Sequence, residues 1–353
     1  MEIQYKRRLE KIEAYLQSWL PENPNPAWME KVFPFSADAE PPLVKTLTLP
    51  GWDLMNRGGK RWRPLLMLLV AEAVAGESGG DAALPLTPLV EFSHNASLIH
   101  DDIEDNSDER RGKPAVHLLY GTDTAINGGS FMYFLPLACL STWGGNAALK
   151  DRVWTIWASH MRALHLGQAM DITWHRDDRS LPALEEYDRM CRLKTGCLAR
   201  LAALLGVCSA GGAPSSDAME LHFAEAAEKL GVGFQILDDV KNLDKGAPGK
   251  KQGDDIVEGK KSLPVLLYLH RYPEKREFSS RCFAAARAGG ARVPELGEFI
   301  LALKDAGVLE EAREKGLEYI RTGGRLLSSP QVAGVSLHEE GQKMLAGFVD
   351  LLV

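Results

Sequence analysis

From Met55 onward, apolar residues recur at helical spacing in long segments: 63–75, 89–105, 125–140, 154–174, 184–205, 217–242 and 262–270. Three more follow at 294–306, 309–320 and 339–352. No stretch alternates apolar and polar positions between turn dipeptides, so no substantial sheet is expected. The breaks are short and rich in Gly, Pro, Asp and Ser: GESGGD at 76–81, RRGKP at 110–114, WGGN at 143–146, GGAPSS at 211–216 and KGAPGKKQGD at 245–254. Amphipathic helices with short connections predict one large all-α helical bundle, and the absence of a repeat period argues against a solenoid. Residues 1–45 read differently. A charged amphipathic stretch leads into a run of prolines (Pro21, Pro24, Pro26, Pro34, Pro41, Pro42), which predicts an accessory helix and an extended segment ahead of a helical domain over 46–353.

Composition narrows the class. The 353 residues are 45% apolar and 25% charged, which suits a globular chain with a substantial core. Lys and Arg total 41 against 48 Asp and Glu, a net charge of −7, so nucleic acid is not an expected partner. Five cysteines (Cys139, Cys191, Cys197, Cys208, Cys282) include no CxxC pair, which predicts free thiols and a reducing cytoplasm. His100, His117, His160, His175, His222, His270 and His338 show no ligand spacing with them, so zinc is not expected. The first twenty residues are interrupted by Lys, Glu and Gln, and no apolar run is long enough to span a bilayer, so a soluble protein is expected.

Two acidic clusters carry the candidate chemistry. In LVEFSHNASLIHDDIEDNSDERRG, six carboxylates (Asp101, Asp102, Glu104, Asp105, Asp108, Glu109) fall within nine positions. Such a run is most often a solvated helix end. Here, however, Asp101 and Asp105 are i,i+4 neighbours on the face that carries His94 and Ser97, and like charges at that spacing repel unless a cation lies between them. Hard oxygen donors of this kind suit Mg²⁺, which takes one or two carboxylates together with substrate phosphates. A second pair, Asp238 and Asp239, emerges from the apolar helix GVGFQILDDVKNL, 137 positions beyond Asp101, with Asn242 about one turn on. Several helices fit between the clusters, so they can face each other in a bundle core. Basic residues surround them: Lys60, Arg61 and Arg63 in GGKRWRP, then Arg110, Arg111, Lys194, Lys251, Lys260 and Lys261. Separate acidic and cationic elements match a pair of diphosphate substrates, one held through metal and the other by Arg and Lys directly.

At these residues the chain resembles the trans-isoprenyl diphosphate synthases, and most closely the geranylgeranyl diphosphate synthases of eukaryotic type, from about Met55 to about Gly323. HNASLIHDDIEDNSDERRGKP is similar to the first aspartate-rich motif of that family, HLGQAMDITW to its central element, LKTG to its Lys-Thr motif, and FQILDDVKNL to its second aspartate-rich motif. The resemblance implies the isoprenoid synthase bundle with a central apolar cavity, and a Mg²⁺-dependent condensation of isopentenyl diphosphate with an allylic diphosphate (dimethylallyl, geranyl or farnesyl). It implies that Asp101, Asp102, Asp105, Asp171, Asp238, Asp239 and Asn242 hold the metal, three ions bound with substrate. Arg110, Gln168, Lys194, Lys251 and Lys260 would bind the allylic diphosphate, and Lys60, Arg63, His94 and Arg111 isopentenyl diphosphate. Lys194, Thr195 and Gln235 would support the reacting centre. Asn242 in place of Asp is the pattern of the geranylgeranyl subgroup. Lys241 departs from it, and either pairs with the acids or points to solvent, the latter being the commoner state of a lysine. Relatives are dimers or dimer-based assemblies, and Trp19 and Trp28 of the N-terminal segment are candidates to cover such an interface.

Product length follows from the same helix. Ala96 and Ser97 lie five and four residues before Asp101, about 6–7.5 Å along the axis. Farnesyl-type relatives carry bulky aromatics near these positions, so the resemblance implies room beyond fifteen carbons, with twenty expected and a longer product open; by themselves two small residues equally suit close helix packing. Phe131, Tyr133, Phe134 and His165 are candidates for the floor. Two other readings stay open: a terpene synthase that cyclises a prenyl diphosphate, and a non-catalytic prenyl-diphosphate-binding subunit. The first is disfavoured because the Ser/Thr and Glu of the cyclase metal motif are missing after Asp238-Asp239. The second is disfavoured because both acidic clusters are kept.

Overall fold

The structure, a computed structural model, describes residues 2–35, 39–210, 217–246 and 252–351. Its helices begin with α1 (Glu2–Trp19), α2 (Pro26–Val32), α3 (Pro41–Asn56), α4 (Trp62–Ala75), α5 (Glu77–Ala83), α6 (Thr87–Glu104), α7 (Val116–Tyr120), α8 (Thr122–Thr142) and α9 (Ala147–His175). They continue with α10 (Leu184–Cys191), α11 (Cys197–Ser209), α12 (Asp217–Asp244), α13 (Asp254–Glu258), α14 (Leu263–Arg271), α15 (Arg276–Gly289), α16 (Pro294–Asp305), α17 (Val308–Leu327) and α18 (Glu339–Phe348). The strands among the described residues form two short antiparallel hairpins, Glu109–Arg110 with Lys113–Pro114 and Gln331–Val332 with Val335–Ser336. The fold is the all-α bundle that the periodicity predicts. No helix among the described residues is long and apolar enough to cross a membrane.

α4 is apolar on every side, and from Trp62 to Val74 every residue is buried, which marks it as a core helix. It packs on α11 and α18, while α12 runs against α11 and α17, and α6 against α8. Local chemistry corrects several expectations. The prolines of the N-terminal run start helices: Pro26 begins α2, and Pro41 and Pro42 open α3, since the first turn of a helix needs no donor there. The expected extended segment is therefore interrupted by the short helix α2, its residues 20–25 and 33–35 staying non-helical, and position 45 falls inside α3. α1 joins the main core through Tyr5, Ile12, Leu16 and Trp19. Both Trp19 and Trp28 are buried within the chain, the Trp28 indole donating to the Trp19 carbonyl at 3.0 Å, so neither is left to cover a partner.

GESGGD is likewise not a simple break. Gly76, at φ 69°, ends α4, and the next residues form α5. A Cβ at Gly79 would collide with the Ala71 carbonyl, and one at Gly80 would meet the Glu72 carboxylate at 2.7 Å. Those glycines let α5 lie flat on α4. The segment expected as one helix over 184–205 holds a π-turn at Arg192–Gly196 between α10 and α11. Of the expected breaks, 211–216 lies outside the described residues, as do 247–251.

Candidate active site

A cavity of about 1440 Å³ opens between α4, α6, α8, α9, α11 and α12. Its wall brings together Lys60, Arg63, His94, Ser97, Asp101, Arg110, Arg111, Gln168, Asp171, Lys194, Thr195, Gln235, Asp238, Asp239 and Lys260. α6 presents His94, Ser97, Asp101 and Glu104 to it at three- and four-residue spacing, so one helix face carries polar residues at both ends and a small residue between.

The acidic wall is strung on charge-assisted hydrogen bonds. Lys194 Nζ bridges two helices, donating to Asp171 at 2.6 Å and to Asp101 at 3.0 Å. The Gln168 amide donates to Asp101 at 3.0 Å and to Glu104 at 2.7 Å. Burial works to raise the Asp101 carboxyl, but Lys194, Lys260 and Arg110 outweigh it and hold that group well below the usual carboxylate range. Opposite, Asp239 accepts from the Tyr187 hydroxyl at 2.7 Å and from Gln235 at 2.8 Å, while the Thr195 hydroxyl donates to Gln235 Oε1 at 2.7 Å. Burial, reinforced by Asp255, pushes the Asp239 carboxyl up to about 7. Asp238 beside it is exposed.

Glycines bring these groups close. A Cβ at Gly167 of α9 would sit 2.5 Å from the Lys194 backbone nitrogen, and one at Gly231 of α12 would sit 2.8 Å from Gly196 Cα. The π-turn carries Lys194 and Thr195 into this seam; one extra residue in a turn commonly re-aims side chains at functional sites.

A second, mainly cationic region lies on the same cavity. Arg63 Nη1 is 3.3 Å from His94 Nε2. Burial, followed by the charges of Arg63, Arg111, Arg61 and Arg110, drives the His94 imidazole well below its usual range, so it is neutral and accepts from Arg63. Arg111 is fixed by donating to the carbonyls of Leu54 at 2.9 Å and Gly58 at 2.6 Å. Lys60 is exposed, its ammonium 5.9 Å from the Phe234 ring centroid. Burial lowers Arg63 only to about 10, so it keeps its charge at neutral pH.

Other expected residues stand elsewhere. Asp102 is fully buried off the cavity and accepts from Arg110 at 2.5 and 2.8 Å, because adjacent helical positions point about 100° apart. The Asp105 side chain lies beside the cavity, 2.7 Å from Lys260, which also donates to Glu258 at 2.6 Å. Asn242 is buried and accepts from the Asp255 backbone at 3.3 Å rather than lining the cavity. Ala96 is fully buried in the helix-packing core, which leaves Ser97 as the small residue on the wall. Phe131 stacks on Phe33 at 5.7 Å, away from the cavity, whereas Tyr133, Phe134 and His165 line it. Lys241 is exposed on the cavity rim. Lys251 lies outside the described residues.

Sequence reasoning missed Glu104 as a partner of Gln168, although it lies three residues after Asp101 on the same face. It also missed Tyr187, for which a lone tyrosine in a polar helix gives no signal. Among the described residues, no three Asp, Glu, His or Cys side chains form a ready-made metal cage. The donors on the cavity are nevertheless hard oxygens on facing walls, which suits an ion that keeps waters and takes substrate phosphate oxygens.

The likeness to known proteins agrees with this geometry. A geranylfarnesyl diphosphate synthase of Aeropyrum pernix is 31% identical over 284 residues, 78% of this chain and 85% of that protein. A geranylgeranyl pyrophosphate synthase of Rhodocybe pseudopiperita is 38% identical over 199 residues, 55% of each chain. The crystal structure of geranylgeranyl pyrophosphate synthetase from Pyrococcus horikoshii superposes with a TM-score of 0.82 at 25% identity, covering 99% of this chain and 97% of that one. Residues 44–298, which contain both acidic clusters and the cationic region, match the polyprenyl synthetase family, and the chain belongs to that family.

Proposed function

We propose that the chain is a Mg²⁺-dependent trans-prenyltransferase that extends an allylic diphosphate with isopentenyl diphosphate, giving chiefly geranylgeranyl diphosphate. The observation that carries this reading is the pairing, in one cavity, of an acidic wall with a separate cationic region: two anionic substrates need two different cradles. Asp101, Asp171, Asp238 and Asp239 are the residues on the wall that would hold Mg²⁺, as three ions together with the allylic diphosphate. Bound there, Mg²⁺ supplies Lewis-acid stabilisation of the charge that grows on the departing diphosphate.

The protein's own groups do the rest. Lys194, Lys260 and Arg110 now neutralise the acidic wall, and they are placed to turn their donors onto diphosphate oxygens. Lys60, Arg63 and Arg111, with neutral His94, hold isopentenyl diphosphate so that its double bond faces the allylic C1. The allylic C–O bond breaks with its electron pair leaving on diphosphate. The isopentenyl double bond then forms the new C–C bond, and the proton lost from C2 passes to the released diphosphate, leaving a trans alkene. Thr195 and Gln235 present hydroxyl and amide dipoles to the transient cation, and the apolar wall of Leu98, Trp157, Met161, Leu164 and Leu198 excludes water.

Ser97 leaves space on α6 for a growing chain. His100 stacks on Tyr133 at a centroid separation of 5.7 Å, His165 packs tilted against Tyr133 at 5.3 Å, and the three supply a floor. A twenty-five-carbon product is the second reading, favoured by the Aeropyrum relative's name. Exposed Leu118, Leu119, Ile126, Phe134, Trp154 and Leu166 on α7, α8 and α9 suit pairing of two copies into a homodimer, which light scattering tests. Five free buried cysteines suit a cytoplasmic setting. Labelled isopentenyl diphosphate offered with dimethylallyl, geranyl and farnesyl diphosphates tests the reaction. A linear twenty-carbon alcohol after dephosphorylation supports it; hydrocarbon without label overturns it in favour of cyclisation.

A further inference from the structure

The N-terminal helix reaches the cationic region. Glu13 on α1 accepts from Arg61 Nε at 2.8 Å and from Nη2 at 3.3 Å, a two-oxygen clasp on one guanidinium. The same guanidinium donates to Glu91 on α6 at 3.0 Å and to the carbonyls of Met55 at 2.5 Å and Gly58 at 3.3 Å. The Arg61 side chain is only 4% exposed and its Glu91 partner 3%, while Glu13 is 34% exposed, so the Glu13 clasp closes the buried guanidinium on its solvent side.

Arg61 also sits at a backbone position of unusual cost. Its φ of 47° and ψ of 28° are left-handed, a region unfavourable for a residue with a Cβ. Such strain persists only where neighbours over-determine it, and five donations from one side chain do so here. The residue is the pivot between exposed Lys60 and buried Arg63, the first turn of α4 beginning immediately after it. Gly59 closes the arrangement, since a Cβ there would meet Arg61 Nη1 at 3.0 Å and Arg111 Nη2 at 3.3 Å. The path of the loop, and with it the aim of Lys60 and Arg63, thus depends on how Arg61 is anchored. Two of the anchors are local carbonyls, one is on α6, and one comes from a helix more than forty residues away.

We infer that Glu13 is a positioning residue for the isopentenyl diphosphate site, acting through Arg61 on the loop that carries Lys60 and leads into Arg63 at the start of α4. The inference rests on the assignment of that loop under the proposed function. It makes α1 part of the site's architecture rather than an accessory packed on the outside.

Glu13→Ala is tested by steady-state kinetics on the full chain, varying isopentenyl and allylic diphosphates separately. The expected result is a rise of about tenfold in the KM for isopentenyl diphosphate, the scale of one charge-assisted bond, with allylic KM and kcat within twofold. Glu13→Gln keeps one acceptor and should show a smaller rise in the same parameter, and it also serves if the Ala variant folds poorly. Arg8→Gln is the comparison, because it breaks another anchor of α1, the Arg8–Glu72 pair at 2.7 Å, without touching the loop. It should lower the melting temperature and leave that KM unchanged. An unchanged KM in Glu13→Ala, or an equal rise in Arg8→Gln, overturns the inference. Lys60→Ala separates the two layers of the argument. If it leaves the KM for isopentenyl diphosphate unaltered, the loop assignment itself falls and takes the inference with it. If it raises that KM while Glu13→Ala does not, only the inference falls.

Discussion

Gly167→Ala tests whether close backbone approach positions the active site. The added methyl would lie 2.5 Å from the Lys194 nitrogen, 2.8 Å from the Leu193 carbonyl carbon and 2.9 Å from Leu193 Cβ. Two of these are backbone atoms that cannot swing away, and comfortable contact needs about 3.5–4.0 Å, so α9 must retreat from the π-turn by about 1 Å. Gln168 and Asp171 follow on the same helix, and they hold the 2.7 Å bond to Glu104 and the 2.6 Å bond to Lys194. Overpacking of this kind costs about 1–3 kcal/mol, against a gain of about 1 kcal/mol from replacing a helical glycine by alanine. The larger effect is on rate, since a misplacement of about 1 Å can lower turnover by about 10²-fold. Turnover with saturating substrates and the melting temperature should both be measured, with Gly297→Ala as control. Gly297 lies in α16 with open space around its absent Cβ, so that variant should be neutral or slightly more stable. A kcat within twofold of the parent in Gly167→Ala would refute the reasoning.

Asp101→Ala should lower kcat by orders of magnitude while the protein remains folded, read by labelled-product assay and circular dichroism; ordinary turnover would remove Asp101 from the metal site. Ser97→Phe should shorten the product and Tyr133→Ala lengthen it, read by chromatography of the dephosphorylated alcohols, and an unchanged distribution in both would place the growing chain elsewhere. Burial pushes Asp239 up to about 7, and burial aided by Asp101 and Glu258 does the same to Asp105 against the pull of Lys260. The folded state therefore holds protons that the unfolded chain has released above about pH 4, so without Mg²⁺ these groups lower stability as pH rises towards 7. Mg²⁺ would take Asp239 in its deprotonated form, so its gain in melting temperature should be larger at pH 8 than at pH 6; an equal gain at both would be the contrary result.

The helices were legible because their apolar stripes survive in the sequence, and the two acidic clusters because carboxylates inside apolar helices have few stable explanations. Helical spacing put His94, Ser97 and Asp101 on one face, as found. Asp102, one position on, is turned off the cavity, and no local pattern announces its partner Arg110, which arrives from a hairpin. The Pro-rich run is non-helical at Pro21, Pro24 and Pro34 but opens helices at Pro26, Pro41 and Pro42, a difference not legible in the sequence because a proline that begins a helix and one that prevents it look alike without their neighbours. The close approaches at Gly79, Gly80 and Gly167 are not legible in the sequence, because a missing side chain leaves no periodic mark while permitting backbone contact. Arg61 stood in the cationic run, but its partner Glu13 lies in another helix, a pairing that no local pattern reveals.

The π-turn at Arg192–Gly196 acts as a counting device. Each residue in a helix advances the side chain by about 100°, so the surplus residue sets the rotation of everything on α10 relative to α11. Deleting one residue from this turn would leave a longer and more regular α-helix, and local helical propensity would not object. It would also swing Tyr187 about a quarter-turn away from Asp239 and carry Lys194 off the Asp101–Asp171 bridge. Chimeras spliced between relatives across 184–209 must therefore conserve residue number there before residue identity, because a shift in phase would silence the site while leaving the bundle intact.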